Sequence, residues 1–186
     1  MILYIRHMVC QRCIDSVLEI FSGYGFDPDK VLLGEVHLDM DPDPITLENI
    51  DRDLTSRGFE LINDEESQWI NRIKSLIIDR IHHSKVDEPT SWSELIASEL
   101  GKDYAGLSRL FSQKEGHTIE QFIIRQKVER AKELLTYRSL SIKEIAFDLG
   151  YSSPAHLSTQ FKQVTGMTPS QFRALGNTLR TSLDQL

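Results

Sequence analysis

The stretch "LSIKEIAFDLGYSSPAHLSTQFKQVTGMTPSQFR", residues 140–173, decides how the second half of this chain folds. Ser141-x-x-Glu144 opens it as a capping box, in which the two side chains satisfy free amides at a helix start. Ile145 and Leu149 lie four apart, on one face of that helix. Gly150 offers the left-handed conformation that ends it. Ser153-Pro154 then restarts a helix, with serine as N-cap and proline at the first helical position. Gly166 closes this second helix, and Thr168-x-x-Gln171 repeats a capping pattern. The stretch therefore reads as helix, glycine turn, helix.

The same plan occurs once more, in "ELIASELGKDYAGLSRLFSQKEGHTIEQF", residues 94–122, opened by Ser91-x-x-Glu94. Ala97, Leu100 and Gly101 match Ala146, Leu149 and Gly150. After one inserted residue, Leu107, Phe111, Gly116, Thr118 and Phe122 match Leu157, Phe161, Gly166, Thr168 and Phe172. Apolar, glycine and threonine positions in step over this length mark a duplicated unit. Between the copies, "IEQFIIRQKVERAKELLTY" places Ile124, Val128, Ala131 and Leu135 at helical spacing, as a strut. Two short helices about a glycine turn form a helix-turn-helix, whose second helix can lie in a DNA major groove. Two such helices on one strut would reach successive major grooves, about 34 Å apart. From pattern alone, a pair of helical hairpins packing on each other without a ligand is the competing reading.

With these pieces in hand, residues from about Trp69 to Leu175 resemble the DNA-binding domain of the AraC/XylS family of bacterial transcription regulators. The resemblance rests on the first repeat, the strut "RQKVERAKELL", the second-repeat signature and the ending "MTPSQFR". It implies two helix-turn-helix units joined by a long helix. It also implies double-stranded DNA as partner, with RNA polymerase and a second copy of the chain as further candidate partners. Helix geometry turns Leu107, Leu110, Phe111, Leu157 and Phe161 to the core. Tyr104, Ala105, Ser108 and Arg109 then point outward in the first reader, and Ala155, His156, Ser158, Thr159 and Lys162 in the second. By register, the family's base-contacting positions fall on Ala105, Ser108, Arg109, Ala155, Ser158 and Thr159. Arg109 suits guanine, whose O6 and N7 accept a bidentate guanidinium, with a phosphate contact or surface ion pair as its plainer role. The two alanines can only touch thymine methyls. His156 reads equally as a surface residue.

Residues 1–64 read differently. "ILYIRHM" alternates like a strand, and "CIDSVLEIFSGYG" carries Ile14, Val17, Leu18 and Phe21 on one helical face. "KVLLGEVHLDM" is strand-like; "PITLENIDRDLTSRGF" repeats Leu47, Ile50 and Leu54 before Gly58; "FELIN" gives a last strand. The chain's two cysteines, Cys10 and Cys13, fall where the first strand meets the first helix. A helix start presents free amides and a positive dipole end, which is expected to lower a thiol pKa. Two thiolates on a short loop can hold a soft ion such as Cu(I). With Met8, the motif Met-x-Cys-x-x-Cys resembles the heavy-metal-associated domain of copper chaperones and metal-pumping ATPases. That resemblance implies a Cu(I), zinc or mercury site at Cys10 and Cys13, Met8 packed beneath the loop, and an aromatic, here Phe59, near it. The family's hairpin between the helices is shortened here, or replaced by one bent strand, and Gln11 and Arg12 are bulkier than its usual residues. Arg12 would stabilise negative charge on the pair. A redox switch, or buried thiols with another ligand, are the alternatives to metal. His7 and His37 could join a metal site, though each reads more readily as a strand-surface residue.

The fold class expected is α+β: a small ferredoxin-like α/β sandwich with an abbreviated hairpin over residues 1–64, then an all-α DNA-binding domain over 65–180. Within the latter, 66–83 form a first helix or linker, 91–113 and 141–164 the two helix-turn-helix units, and 118–136 the connecting helix. Ile70, Ile73, Ile77 and Ile81 form one stripe, expected to pack on the first repeat rather than to make a dimerising coil. "VDEPTSW", residues 86–92, is the loop before the repeats, and its shortness implies closely coupled halves. The 186 residues carry a net charge of −7, unevenly spread. Residues 1–89 hold 9 Lys+Arg against 18 Asp+Glu, and residues 90–186 hold 12 against 10, so the basic excess lies in the repeat half. No apolar run approaches the ~20 residues of a membrane span, and the start lacks a signal-peptide pattern, so a cytoplasmic protein without membrane contact is expected. Paired catalytic carboxylates, a phosphate-cradling glycine loop and zinc-peptidase spacing are missing from the sequence, so no enzyme is expected. A metal carrier with a helical interaction domain is the rival to a metal-responsive regulator.

Overall fold

A computed structural model describes residues 1–84, 91–137, 139–175 and 183. The chain divides into two compact units, Met1–Asp79 and Arg80–Leu186. The expected "VDEPTSW" loop falls almost wholly outside the described residues.

The first unit runs β1 (Ile2–Arg6), α1 (Gln11–Gly23), β2 (Lys30–Leu32), β3 (Glu35–His37), α2 (Pro44–Ser56), β4 (Glu60–Ile62) and α3 (Glu65–Ile78). Its four strands pair antiparallel in the order β2-β3-β1-β4. Leu3 and Ile5 of β1 and Val36 of β3 face a core with Val17, Ile20 and Phe21 of α1 and Ile50 and Leu54 of α2. Of the two readings of "KVLLGEVHLDM", the structure has the shortened hairpin and not one bent strand: two three-residue strands pair with Leu32 opposite Glu35. Gly34, at φ +83°, makes the turn that an alternating reading passes over.

The Ile-striped helix departs from expectation. The sequence assigned it to the DNA-binding half, but α3 packs on β1 and belongs to the first compact unit, which extends to Asp79 rather than ending at residue 64. Tyr4 alternates with Leu3 and Ile5 and so faces away from α1 and α2. The Arg72 guanidinium lies 6.0 Å from the Tyr4 ring centroid, which puts α3 on that opposite sheet face. Asn71, buried, donates through Nδ2 to the carbonyls of Ile5 (3.2 Å) and Gly34 (3.0 Å). The amide side chain thereby gives the Ile5 carbonyl a donor and adds a second one to the Gly34 carbonyl, which also accepts from the Ile5 amide at 2.9 Å, and this fixes α3 in register. Ile70, Ile73 and Ile77 are buried as the stripe requires, whereas Ile81 sits in a π-helical turn, Asp79–His83, and is only half-buried.

The second unit is helical: α4 (Trp92–Leu100), α5 (Tyr104–Glu115), α6 (Ile119–Tyr137), α7 (Ile142–Asp148), α8 (Pro154–Thr165) and α9 (Pro169–Leu175). Its punctuation follows the local chemistry. Ser141 and Glu144 form the reciprocal capping box, and Ser91 accepts from the Glu94 amide. Gly101 and Gly150 stand at φ +63° and +66°, turning each first helix toward its reader. The strut α6 packs against α5, α7, α8 and α9, burying Phe122, Val128, Ala131 and Leu135. Each copy is pinned by the same aromatic pair: Phe111 on Phe122 at 5.8 Å, and Phe161 on Phe172 at 5.6 Å between centroids. Such pairs add about 1 kcal/mol beyond the area they bury.

Candidate nucleic-acid interface and cysteine loop

The two reading helices are built alike. Asp103 and Ser153 cap α5 and α8 by accepting from the amides of Gly106 (2.8 Å) and His156 (3.1 Å). Both helices have 12 residues and end at glycines with φ +72° and +80°. Leu107 and Phe111, like Leu157 and Phe161, are buried, and this anchors one side of each helix to the core. Leu110, expected in the core with them, is only half-buried, because it lies on the flank of that face.

Opposite the core, Ala105, Arg109, Ala155, His156, Thr159 and Lys162 are exposed, and Ser108 and Ser158 are half-exposed beside them. Among the described residues Arg109 has no ion-pair or hydrogen-bond partner. Tyr104 does not project freely. It is half-buried, and its phenol is pushed above the ordinary range, first by burial and then by the Glu120 carboxylate. The hydroxyls of Ser158 and Thr159 donate to the carbonyls of Pro154 (2.8 Å) and Ala155 (3.0 Å), so they turn acceptor lone pairs outward. His156 stacks edge-on against Tyr151, with centroids 5.2 Å apart, and its Nδ1 meets Ser152 Oγ at 3.2 Å. Gln113 and Gln163, exposed at matching positions one turn further along, were missed by the sequence reading. The offset of the repeat, which aligns them, was the signal that could have found them.

Cys10 and Cys13 lie where expected, with Cys10 as the N-cap of α1. Their sulfurs are 3.3 Å apart as free thiols. His7, at φ +72°, turns the chain from β1 into the loop, and its carbonyl accepts from the Cys13 thiol at 4.0 Å. Met8 and Phe59 are both buried in the core on which Cys13 packs. The expectation of a lowered thiol pKa fails at Cys13. Burial pushes its thiol above the ordinary value, and the amide hydrogen bonds of the helix start only partly offset this. His37 bonds Glu35 at 3.0 Å and pairs with Ile2, at the far end of β1 from the loop. Among the described residues no third His, Cys, Asp or Glu joins the cysteines in a metal-holding cluster. A pair of thiols suits a soft ion of low coordination number, whereas a closed zinc site takes four ligands. Among the described residues no helix is long and apolar enough to cross a membrane.

Comparison with known proteins bears on the second unit. Residues 96–175 match the family model described as a helix-turn-helix domain. The chain is 32% identical over 109 residues to the transcriptional regulatory protein YesN of Bacillus subtilis, covering 58% of this chain but 28% of YesN. Among solved structures it is similar to the C-terminal domain of AraT, a response regulator from Geobacillus stearothermophilus. That match has a TM-score of 0.51 and 29% identity over 63% of this chain and 94% of that one. A transcriptional regulator from Chromobacterium violaceum with an AraC-type DNA-binding domain gives a TM-score of 0.52 and 29% identity, over 60% and 95% of the two chains.

Proposed function

We propose that this protein is a sequence-specific, DNA-binding transcription regulator of AraC type whose first unit responds to a soft metal ion such as Cu(I). The match of residues 96–175 to a helix-turn-helix family model and the similarity to an AraC-type DNA-binding domain support the first part of this reading. The observation that carries the DNA-binding reading is the pair of equivalently capped helices, each presenting a polar face opposite its buried Leu–Phe anchor. Arg109 and Lys162 supply cations there, Arg109 for guanine and Lys162 for phosphate. RNA polymerase and a second copy of the chain are the further partners this reading implies.

The metal-responsive half rests on the resemblance to heavy-metal-associated domains, supported by the βαββαβ connectivity, the sheet order and the thiol pair at the first strand–helix junction. Cys10 and Cys13 would hold the ion as thiolates, giving up their two thiol protons to solvent on loading. Met8 backs the loop from the core. Asn71 grips the Ile5 carbonyl, five residues before Cys10, so α3 is the element placed to feel a change in the loop. An anaerobic titration of the reduced full chain against a chromogenic Cu(I) chelator, beside Cys10→Ser and Cys13→Ser, tests the site. Tight one-to-one binding lost in either variant, with a shift in DNA affinity on loading, is expected. Failure to compete removes Cu(I) as the signal and favours the redox reading, while DNA binding stands independently.

A further inference from the structure

The two readers invite a position-by-position comparison at the repeat offset of 50. Leu107 and Phe111, and likewise Leu157 and Phe161, fix which side of each helix faces the core. At 3.6 residues per turn, the positions opposite that side are 105 and 109 in α5, and 155 and 159 in α8. Positions 108 and 158 flank them on one side, and 106 and 156 on the other, where Gly106 carries no side chain and His156 is held against Tyr151 and Ser152. Exposure follows the geometry: 105, 109, 155 and 159 are exposed, and 108 and 158 half-exposed. These positions all lie in the first two turns, the part of a recognition helix that meets base edges. Their occupants are Ala, Ser and Arg in the first reader, and Ala, Ser and Thr in the second.

We propose that the DNA site bound by one chain consists of two half-sites of nearly the same sequence: both hold thymine at the step facing Ala105 or Ala155, and they differ at the step facing Arg109 or Thr159, where only the first holds a selected guanine. The inference rests on the DNA-binding reading above and specifies its substrate. An alanine methyl offers only apolar contact, which thymine's methyl answers, and the two alanines sit at the same register on equally capped helices. Arg109 projects a guanidinium that can pair with guanine O6 and N7. Thr159 cannot do so, since its hydroxyl donates to the Ala155 carbonyl and leaves a methyl and lone pairs outward. Ser108 and Ser158 add a weak, shared contact. Gln113 and Gln163 extend the likeness by another turn.

Selection from a randomised duplex pool by the full chain, with Arg109→Thr and Thr159→Arg alongside, tests this. Wild type should enrich two related half-sites, one with guanine preferred by about 10- to 100-fold, the other without it at the equivalent step. Thr159→Arg should gain guanine in the second half, and Arg109→Thr should lose it in the first, each leaving the opposite half unchanged. Replacing the shared thymine by uracil, which lacks the methyl, should weaken binding about fourfold in either half. Half-sites that share no step, or a Thr159→Arg protein that binds selected DNA without gaining guanine, would overturn the proposal while leaving DNA binding intact. Absence of any salt-dependent DNA binding by wild type would overturn both readings.

Discussion

A methyl group added at Gly34 meets α3 directly. A Cβ there would lie 2.4 Å from Ser75 Oγ and 2.6 Å from Asn71 Nδ2, and the residue's φ of +83° disfavours any L side chain. The left-handed backbone alone costs an alanine about 1–2 kcal/mol. The clash must also push Asn71 off the carbonyls of Ile5 and Gly34, and a buried hydrogen-bonding group left unmade costs about 1–3 kcal/mol. Gly34→Ala should therefore destabilise the first unit by about 2–5 kcal/mol. Gly58 is the matched control: its φ is +84° and nothing lies within 4 Å of an added Cβ, so Gly58→Ala should show the backbone cost only. Amide exchange of β1 and β3 in the full chain reads this unit's opening free energy separately from the helical unit's. Repeating Gly34→Ala in an Asn71→Ala, Ser75→Ala background should bring its added cost down to that of Gly58→Ala. Equal costs for the two single glycine variants in the wild-type background would refute the packing of α3 on the hairpin turn.

Phe161→Ala, which empties the anchor of the second reader against Phe172, should cost about 3–5 kcal/mol and abolish binding to the second half-site, as read by denaturation and footprinting. His82, half-buried beside Gln126, has its pKa lowered to about 4, chiefly by desolvation. The unfolded chain takes up this proton at higher pH than the folded one, so stability is full above about pH 6.5 and is lost as pH falls toward 4. The loss should reach about 3 kcal/mol in equilibrium denaturation of the second unit, and His82→Gln should flatten it. At Cys13 the raised pKa works the other way, with the favoured neutral thiol present below the ordinary value and lost as pH rises through the folded one. Alkylation of Cys13 in Cys10→Ser should accordingly set in at higher pH than alkylation of a free thiol, as followed by mass spectrometry.

The helical unit was legible because each of its boundaries is written in local chemistry. Ser141 with Glu144, Gly150, Ser153 with Pro154, and Thr168 with Gln171 act within a turn of themselves, and duplication printed most of that punctuation twice. The reading faces followed, since Leu157 and Phe161 alone orient α8. What stayed hidden depends on distant partners. Ile70, Ile73 and Ile77 declare that α3 buries a stripe, but an isoleucine stripe does not say against what. Asn71 and Ser75, polar residues on the buried side, were the clue that a backbone surface rather than an apolar one lay opposite. The Cys13 thiol was misjudged because a helix dipole can be read from position, whereas the burial that outweighs it comes from the assembled core. Gly34 sat inside an alternating run, and the pairing of β2 with β3 on either side of it shows it as a turn.

Hydroxyl-radical footprinting of the full chain on its selected duplex tests most directly whether both helices read DNA together. Two protected patches on one face of the duplex, centred about one helical turn apart and both weakening as salt is raised, are predicted. A single patch, unchanged by Thr159→Arg, would contradict the account.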